Sequence, residues 1–264
     1  MSSSLAAAAR VVLCEPDADE KAVRTLAAAA AWRTGNLPPG DEHSTMPERP
    51  ARPARPELLP PRDMPRRRIG GTAGRIALLH AVAHIELNAI DLAWDLIGRF
   101  SAEDWPGEFY TDWLAVAEDE ARHFNLIQGR LNELGANYGG LPAHDGLWQV
   151  AMATAHDALV RLAIVPMVLE ARGLDVTPDM IARLRGVDDS ASADILEVIY
   201  REEISHVAAG TRWFNYLCHR RGLAEIETWR ELVTQYHPGI LKPPFNEVAR
   251  SASGMAPELY ASPG

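Results

Sequence analysis

The sequence predicts an all-α protein built around a four-helix bundle, and three observations carry that expectation. Four long stretches repeat apolar residues at three- and four-residue spacing, while none alternates apolar and polar residues as a half-buried strand does. Breaks rich in glycine and proline separate the four stretches. Within two of them the tetrad Glu-x-x-His recurs, at Glu120–His123 and again 83 residues on at Glu203–His206.

Taken in order, residues 1–35 form an Ala-rich, helix-prone segment with Asp17 or Asp19 as cap and Lys21–Trp32 as body. Little in the sequence ties this segment to the rest. From Asn36 to Pro65 there are nine prolines, a density that excludes a helix interior or a central strand. Residues 36–70 therefore read as an extended linker or strap. Its arginines (49, 52, 55, 62 and 66–68) suit either an arm for an anionic partner such as RNA or a strap across an acidic surface. The strap is favoured because Glu48, Glu57 and Asp63 dilute the basic run.

A first long helix is expected over about 73–99. Leu79, Ala83, Glu86, Ile90, Ala93 and Ile97 share one face; His80, His84, Asn88, Asp91 and Asp95 share a neighbouring polar face, read as surface or as support for a site. After the break at Trp105-Pro106-Gly107, a second helix runs about 109–135 and ends at Gly135. The third is expected from Asp145 to Ala171, kinked by Pro166 one turn before Glu170 and stopped by Gly173. A short helix capped by Thr177 and started by Pro178 follows. The fourth long helix runs about 189–220, and a short one about 224–236 precedes a Pro-rich tail. The bundle thus occupies 71–222, with 223–264 as a C-terminal helix and tail packed on it.

Composition narrows the classes. The chain has 264 residues, 47% hydrophobic, enough for one large domain or one with an appendage. Two cysteines, Cys14 and Cys218, exclude a disulfide framework and a Cys-based metal module, and read as small apolar residues. Residues 1–13 lack the basic start of a signal peptide, and no uncharged apolar run reaches membrane-spanning length, so a cytoplasmic setting without membrane is expected. A net charge of -10 disfavours broad nucleic-acid binding, unless part of it is neutralised internally.

Helix-face reading buries six ligand-type side chains: Glu86, Glu120 with His123, Glu170, and Glu203 with His206. Glu86 to Glu120 is 34 residues and Glu170 to Glu203 is 33, as two repeated helical hairpins would give. Two such hairpins packed antiparallel reproduce the ligand inventory of di-iron and di-manganese carboxylate bundles. Four carboxylates with two neutral imidazoles carry -4, which two divalent cations balance; without them, converging carboxylates raise one another's pKa. Oxygen and imidazole donors without thiolate suit two iron ions, with manganese left open. His84 or His80 remains an alternative to Glu86, though each points about a quarter-turn or more away. Asp119 and Glu202, each four residues before a ligand histidine, either accept the distal ring N–H or form ordinary surface pairs. Tyr200, one turn before Glu203, is either redox-active beside the metals or a core residue with a bonded hydroxyl. Trp113 and Trp213 are expected to pack the core, and His156 lies too far from Glu170 to ligate. The metal centre itself would be the catalytic element; no separate acid or base is assigned.

His80-Ala-Val-Ala-His84-Ile-Glu86-Leu-Asn-Ala-Ile-Asp91-Leu closely resembles a block of a ferritin-like family, domain of unknown function 455. So do Tyr138-Gly-Gly-Leu-Pro-Ala-His144-Asp145-Gly-Leu-Trp148, Glu170-Ala-Arg-Gly-Leu-Asp175-Val-Thr-Pro178 and Arg212-Trp213-Phe214. The resemblance spans roughly residues 50–255 and implies a ferritin-like bundle with a di-metal centre. Asp119-Glu120-Ala-Arg122-His123 is also similar to the Asp-Glu-x-Arg-His run of bacterial di-iron monooxygenases, from which the second half departs at Glu202 and Ser205. In ligand order alone the bundle is similar to the tRNA-modifying hydroxylase of the ferritin-like superfamily.

The leading expectation is a non-haem di-iron oxidoreductase that activates dioxygen or peroxide, as a hydroxylase or monooxygenase of a small molecule or RNA. No flavin, nicotinamide or iron–sulfur motif is present, so an oxygenase would draw on an external electron donor. The alternatives are a ferroxidase, peroxide-scavenging or metal-handling protein, and a bundle with a structural metal. A homo-oligomer stays open.

Overall fold

A computed structural model describes residues 4–40, 45–65, 70–237 and 241–260, whose regular structure is helical apart from a single parallel bridge between Leu58 and Ala143. The chain divides into two compact units, Met1–Gln149 with Arg183–Ile195, and Val150–Ala182 with Leu196–Gly264.

The first unit contains α1 (Leu5–Leu13), α2 (Ala18–Arg33), α3 (Thr72–Arg99), α4 (Gly107–Glu133) and the start of α5 (Gly146–Ala153). Ser4 caps α1 by accepting from the Ala7 N–H, and Asp17, not Asp19, caps α2 by accepting from the Glu20 N–H. The tie between the N-terminal segment and the rest, invisible in the sequence, is supplied by small residues. α1 buries Leu5, Ala6, Ala9, Val12 and Leu13, and packs on α3 where Gly98 has no side chain. A Cβ at Gly98 would meet the Met46 Sδ at 2.5 Å and the Ala9 Cβ at 2.8 Å. α2 packs on α4, and the Trp94 indole donates to the Thr25 hydroxyl at 2.9 Å.

α3 is the helix among the described residues that is long and apolar enough to cross a membrane, yet 72% of that stretch is buried inside the protein. It is a core helix with two polar faces. The face holding His80, His84, Asn88, Asp91 and Asp95, expected at the surface or beside a site, is buried throughout. Its charges require partners there, and the N-terminal and Pro-rich segments provide them. Lys21 Nζ donates to Asp91 at 2.5 Å, Arg52 lies 2.9 Å from the second Asp91 oxygen, and Arg52 also donates to Asn88 at 2.6 Å. Arg99 chelates Asp95 and donates to the Pro47 carbonyl at 2.9 Å. Burial pushes the Lys21 ammonium down and the Asp91 charge holds it up, with burial the larger effect.

The Pro-rich segment runs extended along this unit. The Pro38 carbonyl accepts from the Leu5 N–H, the Leu13 carbonyl from the Ala51 N–H, and the Glu48 carbonyl from the Trp148 indole. Arg49 pairs with Asp145. Of the arginines that suggested an anionic partner, Arg49 and Arg52 are thus engaged within the chain, and Arg66, Arg67 and Arg68 lie outside the described residues.

The second unit holds α6 (Ala158–Ile164), a π-helical turn (Val165–Glu170), α7 (Ala171–Arg185) as far as Ala182, α8 (Ser190–Arg221) from Leu196 onward, α9 (Glu225–Tyr236), α10 (Glu247–Ala252) and α11 (Pro257–Tyr260). Here the sequence expectation needs correction. The third helix is not continuous from Asp145: it breaks before Asp157, which caps α6 by accepting from the Leu159 N–H. Gly173 does not stop it, and Thr177-Pro178 does not begin a new one, because α7 runs through both. Pro178 removes the N–H that would serve the Leu174 carbonyl, and the Asn246 side-chain amide serves it instead at 3.1 Å. Pro166 does not merely kink the helix; it widens a turn, with the Ala171 N–H donating five residues back to the Pro166 carbonyl. The Trp229 indole, buried where α9 packs on α6, donates to the Ala163 carbonyl at 3.2 Å.

If the Lys21–Asp91–Arg52 triad fastens the N-terminal segments, Asp91→Ala strands two cations in the core. Urea unfolding is expected to show a loss of about 3–5 kcal/mol; a loss below about 1 kcal/mol, the scale of an exposed pair, would contradict this reading.

Candidate metal centre

In the first unit, α3 and α4 pack along their length and bring Glu86, Glu120 and His123 together. One ligand atom from each lies within 4.8 Å of the others. The His123 Nδ1 is 3.1 Å from a Glu86 oxygen and 3.6 Å from a Glu120 oxygen. All three side chains are almost wholly removed from solvent. Burial and then the Glu120 charge push the Glu86 carboxyl well above its usual range. Burial pushes the His123 imidazole down, but Glu120 and Glu86 outweigh it and hold it up at about 11. Two carboxylates and an imidazole in a dry pocket thus compete for positive charge, which a proton supplies in part and a divalent cation supplies fully. The three atoms are oxygen and nitrogen donors within one coordination sphere of each other, so the donor set fits a hard or borderline metal ion.

In the second unit Glu203 and His206 share a face of α8, with the His206 Nδ1 3.5 Å from a Glu203 oxygen. His206 is buried and Glu203 half-buried. Glu170 does not sit at a helix end, as the sequence suggested; it closes the π-helical turn and runs directly into α7. The Asn246 amide donates both to the Leu174 carbonyl and to the Tyr200 hydroxyl, at 3.1 and 2.8 Å. Leu174 and Tyr200 are therefore opposite one another, one turn past Glu170 on one helix and one turn before Glu203 on the other.

The supporting residues fall out unevenly. His84 does not turn a nitrogen toward a ligand, because both are committed. Its Nε2 faces the His144 carbonyl at 3.0 Å and so carries the proton, and its Nδ1 accepts from the Tyr138 hydroxyl at 2.8 Å. His80 accepts from the backbone N–H of Gly139 at 3.0 Å, where a positive φ of 92° suits glycine. Both histidines thus fasten the Tyr138–His144 loop to α3, the alternative to ligation that a polar face left open. Asp119 pairs with Arg122 one turn on, and Tyr200 is held by Asn246. Glu202 is half-buried on α8, and its carbonyl accepts from the Ser205 hydroxyl at 2.7 Å. Trp113 packs in the core against Phe109, whereas His156 meets the Tyr236 hydroxyl at 3.1 Å. Sequence reasoning missed Asn246, whose one signal was its place just before a short helix start.

A family model described as "Protein of unknown function (DUF455)" matches residues 14–261. The chain belongs to that family. A Haemophilus influenzae protein described as "Uncharacterized protein" is 44% identical over 207 residues, covering 76% of this chain and 72% of its own length. No solved structure matches the chain. In this DUF455 chain the blocks that carried the resemblance include the His80–His84 pair and the loop that the pair fastens.

Burial, reinforced by the Arg52 charge, lowers the His84 pKa to about 4. An ordinary histidine in the unfolded chain titrates near 6.5, so between about pH 6.5 and 4 the unfolded state binds the extra proton. Stability contributed by neutral His84 is therefore complete above that window and lost as pH falls through it, by up to about 1.4 kcal/mol per pH unit. In urea unfolding across this range, His84→Gln is expected to flatten the slope; an unchanged slope would contradict the assignment.

Proposed function

We propose that the chain is a ferritin-like non-haem di-metal oxidoreductase, with Glu86, Glu120 and His123 forming one half of the centre and Glu170, Glu203 and His206 the other. The observation that carries the reading is the buried Glu86–Glu120–His123 cluster, whose donor atoms lie within 4.8 Å of one another. The repeated Glu-then-Glu-x-x-His order, one copy in each unit, supports a matched second half.

When bound, two iron(II) ions supply the electrons that reduce dioxygen or peroxide; manganese(II) fits the same donors. The protein's own residues set the conditions. Glu86 and Glu120 bring negative charge into a water-poor core, where their affinity for a cation exceeds what it would be in solvent. Neutral His123 would offer a nitrogen lone pair to a metal ion, giving up the proton that the two carboxylates otherwise hold there. The Lys21–Asp91–Arg52 network fixes α3 from its neighbouring polar face, and with it Glu86. A substrate, small molecule or RNA, and an electron donor come from outside the chain, and the Pro-rich stretch 45–65 acts as a strap over α3.

Anaerobic loading with iron(II) followed by oxygen is expected to give oxygen uptake and an optical change, both lost in Glu86→Ala and Glu203→Ala. Uptake that stays proportional to the iron(II) added, with no further turnover when an electron donor is supplied, identifies a ferroxidase. Loss of stability in the two variants, with no oxygen uptake by the wild-type chain under any reductant, would leave a structural metal and overturn the oxidoreductase reading.

A further inference from the structure

Gly210 lies inside α8, four residues after His206 and seven after Glu203, so it shares their face. Glycine weakens a helix interior relative to alanine, and here the space a side chain would need is taken. A Cβ on Gly210 would fall 2.5 Å from the Pro166 Cγ and nearer still to its Cβ. Real Cβ atoms do not approach other carbons so closely, and the obstacle is a rigid ring on a helical turn, which cannot swing aside as a long side chain would. Pro166 stands four residues before Glu170, at the start of the π-helical turn that Glu170 closes.

Two contacts now bracket that turn. Pro166 meets Gly210, and eight residues on Leu174 lies opposite Tyr200 through their shared Asn246 amide. As the position along the first strand of chain rises, its partner on α8 falls, so the segments run antiparallel. Midway between the two contacts, Glu170 comes level with Glu203–His206.

We propose that Gly210 is a positioning residue: its bare Cα admits the Pro166 ring, and that contact keys Glu170 to the level of Glu203 and His206. This rests on the di-metal reading, in which those three side chains serve one half of the centre. A methyl at Gly210 would push the Pro166 turn outward and carry Glu170 away from its partners. Emptying the other side of the contact, with Pro166→Gly, would leave a gap into which the turn slumps, with the same consequence for Glu170. Placing the methyl of Gly210→Ala into that gap refills it.

The test is calorimetric titration of the metal-depleted full chain with manganese(II), with helical circular dichroism as the check on folding. Wild type is expected to bind two ions, and Gly210→Ala and Pro166→Gly each to lose about tenfold in affinity at one of them. The double variant should regain most of that loss. Should Gly210→Ala fail to fold, Pro166→Gly and the double variant decide the matter. Wild-type affinity at both ions in each folded single variant would overturn the positioning role while leaving the metal reading standing, as would a double variant no better than the singles combined. A wild-type chain that binds no manganese(II) or iron(II) would remove both.

Discussion

Taking an ionised side chain out of water costs several kcal/mol unless an opposite charge or a set of hydrogen bonds meets it, and α3 buries six polar or ionisable side chains in 28 residues. Everything near this helix answers that demand. Lys21 and Arg52 reach in from α2 and the Pro-rich segment to Asp91, Arg99 closes on Asp95, and the Tyr138–His144 loop meets His80 and His84. On the remaining face Glu86 is answered by His123 and opposed by Glu120. That last cluster differs in kind. The other carboxylates of α3 have arginine or lysine beside them, while Glu86 and Glu120 both face the His123 imidazole, which their joint charge holds near pKa 11. Under the di-metal proposal, a divalent cation would relieve the cost of burying these two carboxylates together.

The second unit meets backbone demands as well as charge. Pro178 inside a helical run removes an N–H donor, and a side chain from later in the chain fills the deficit, Asn246 serving the Leu174 carbonyl, while Trp229 adds a bond to the Ala163 carbonyl. Asp175 is then bound by Arg250, whose guanidinium lies against the rings of Phe245 and Tyr260. A C-terminal stretch that looks like a tail in the sequence therefore braces the helices carrying Glu170 and Glu203. Because the widened turn contains Pro166 and ends at Glu170, Glu170 is carried on a segment whose geometry depends on these supports.

How far the sequence revealed this depends on the range of the interactions involved. The long helices were readable because periodicity is a local signal: the expected 73–99, 189–220 and 224–236 agree closely with Thr72–Arg99, Ser190–Arg221 and Glu225–Tyr236. Glu86, Glu120 and His123 were readable as a set because each interrupts an apolar face. Pro178 misled because its local cost is offset by Asn246, some 70 residues away in sequence. The polar face of α3 misled in the same manner; nothing local says that Lys21 and Arg52 arrive to bury Asp91. α1 was hard to see because its packing relies on alanine and on the bare Gly98, which carry little pattern of their own.

The central claim is that the buried carboxylates of this DUF455 protein exist to hold metal. Elemental analysis of the full chain, purified anaerobically without chelator, tests it most directly. The account predicts iron or manganese at about two atoms per chain, as the charge of four carboxylates and two histidines requires. A fully folded chain carrying no metal, or carrying a single zinc, would contradict it.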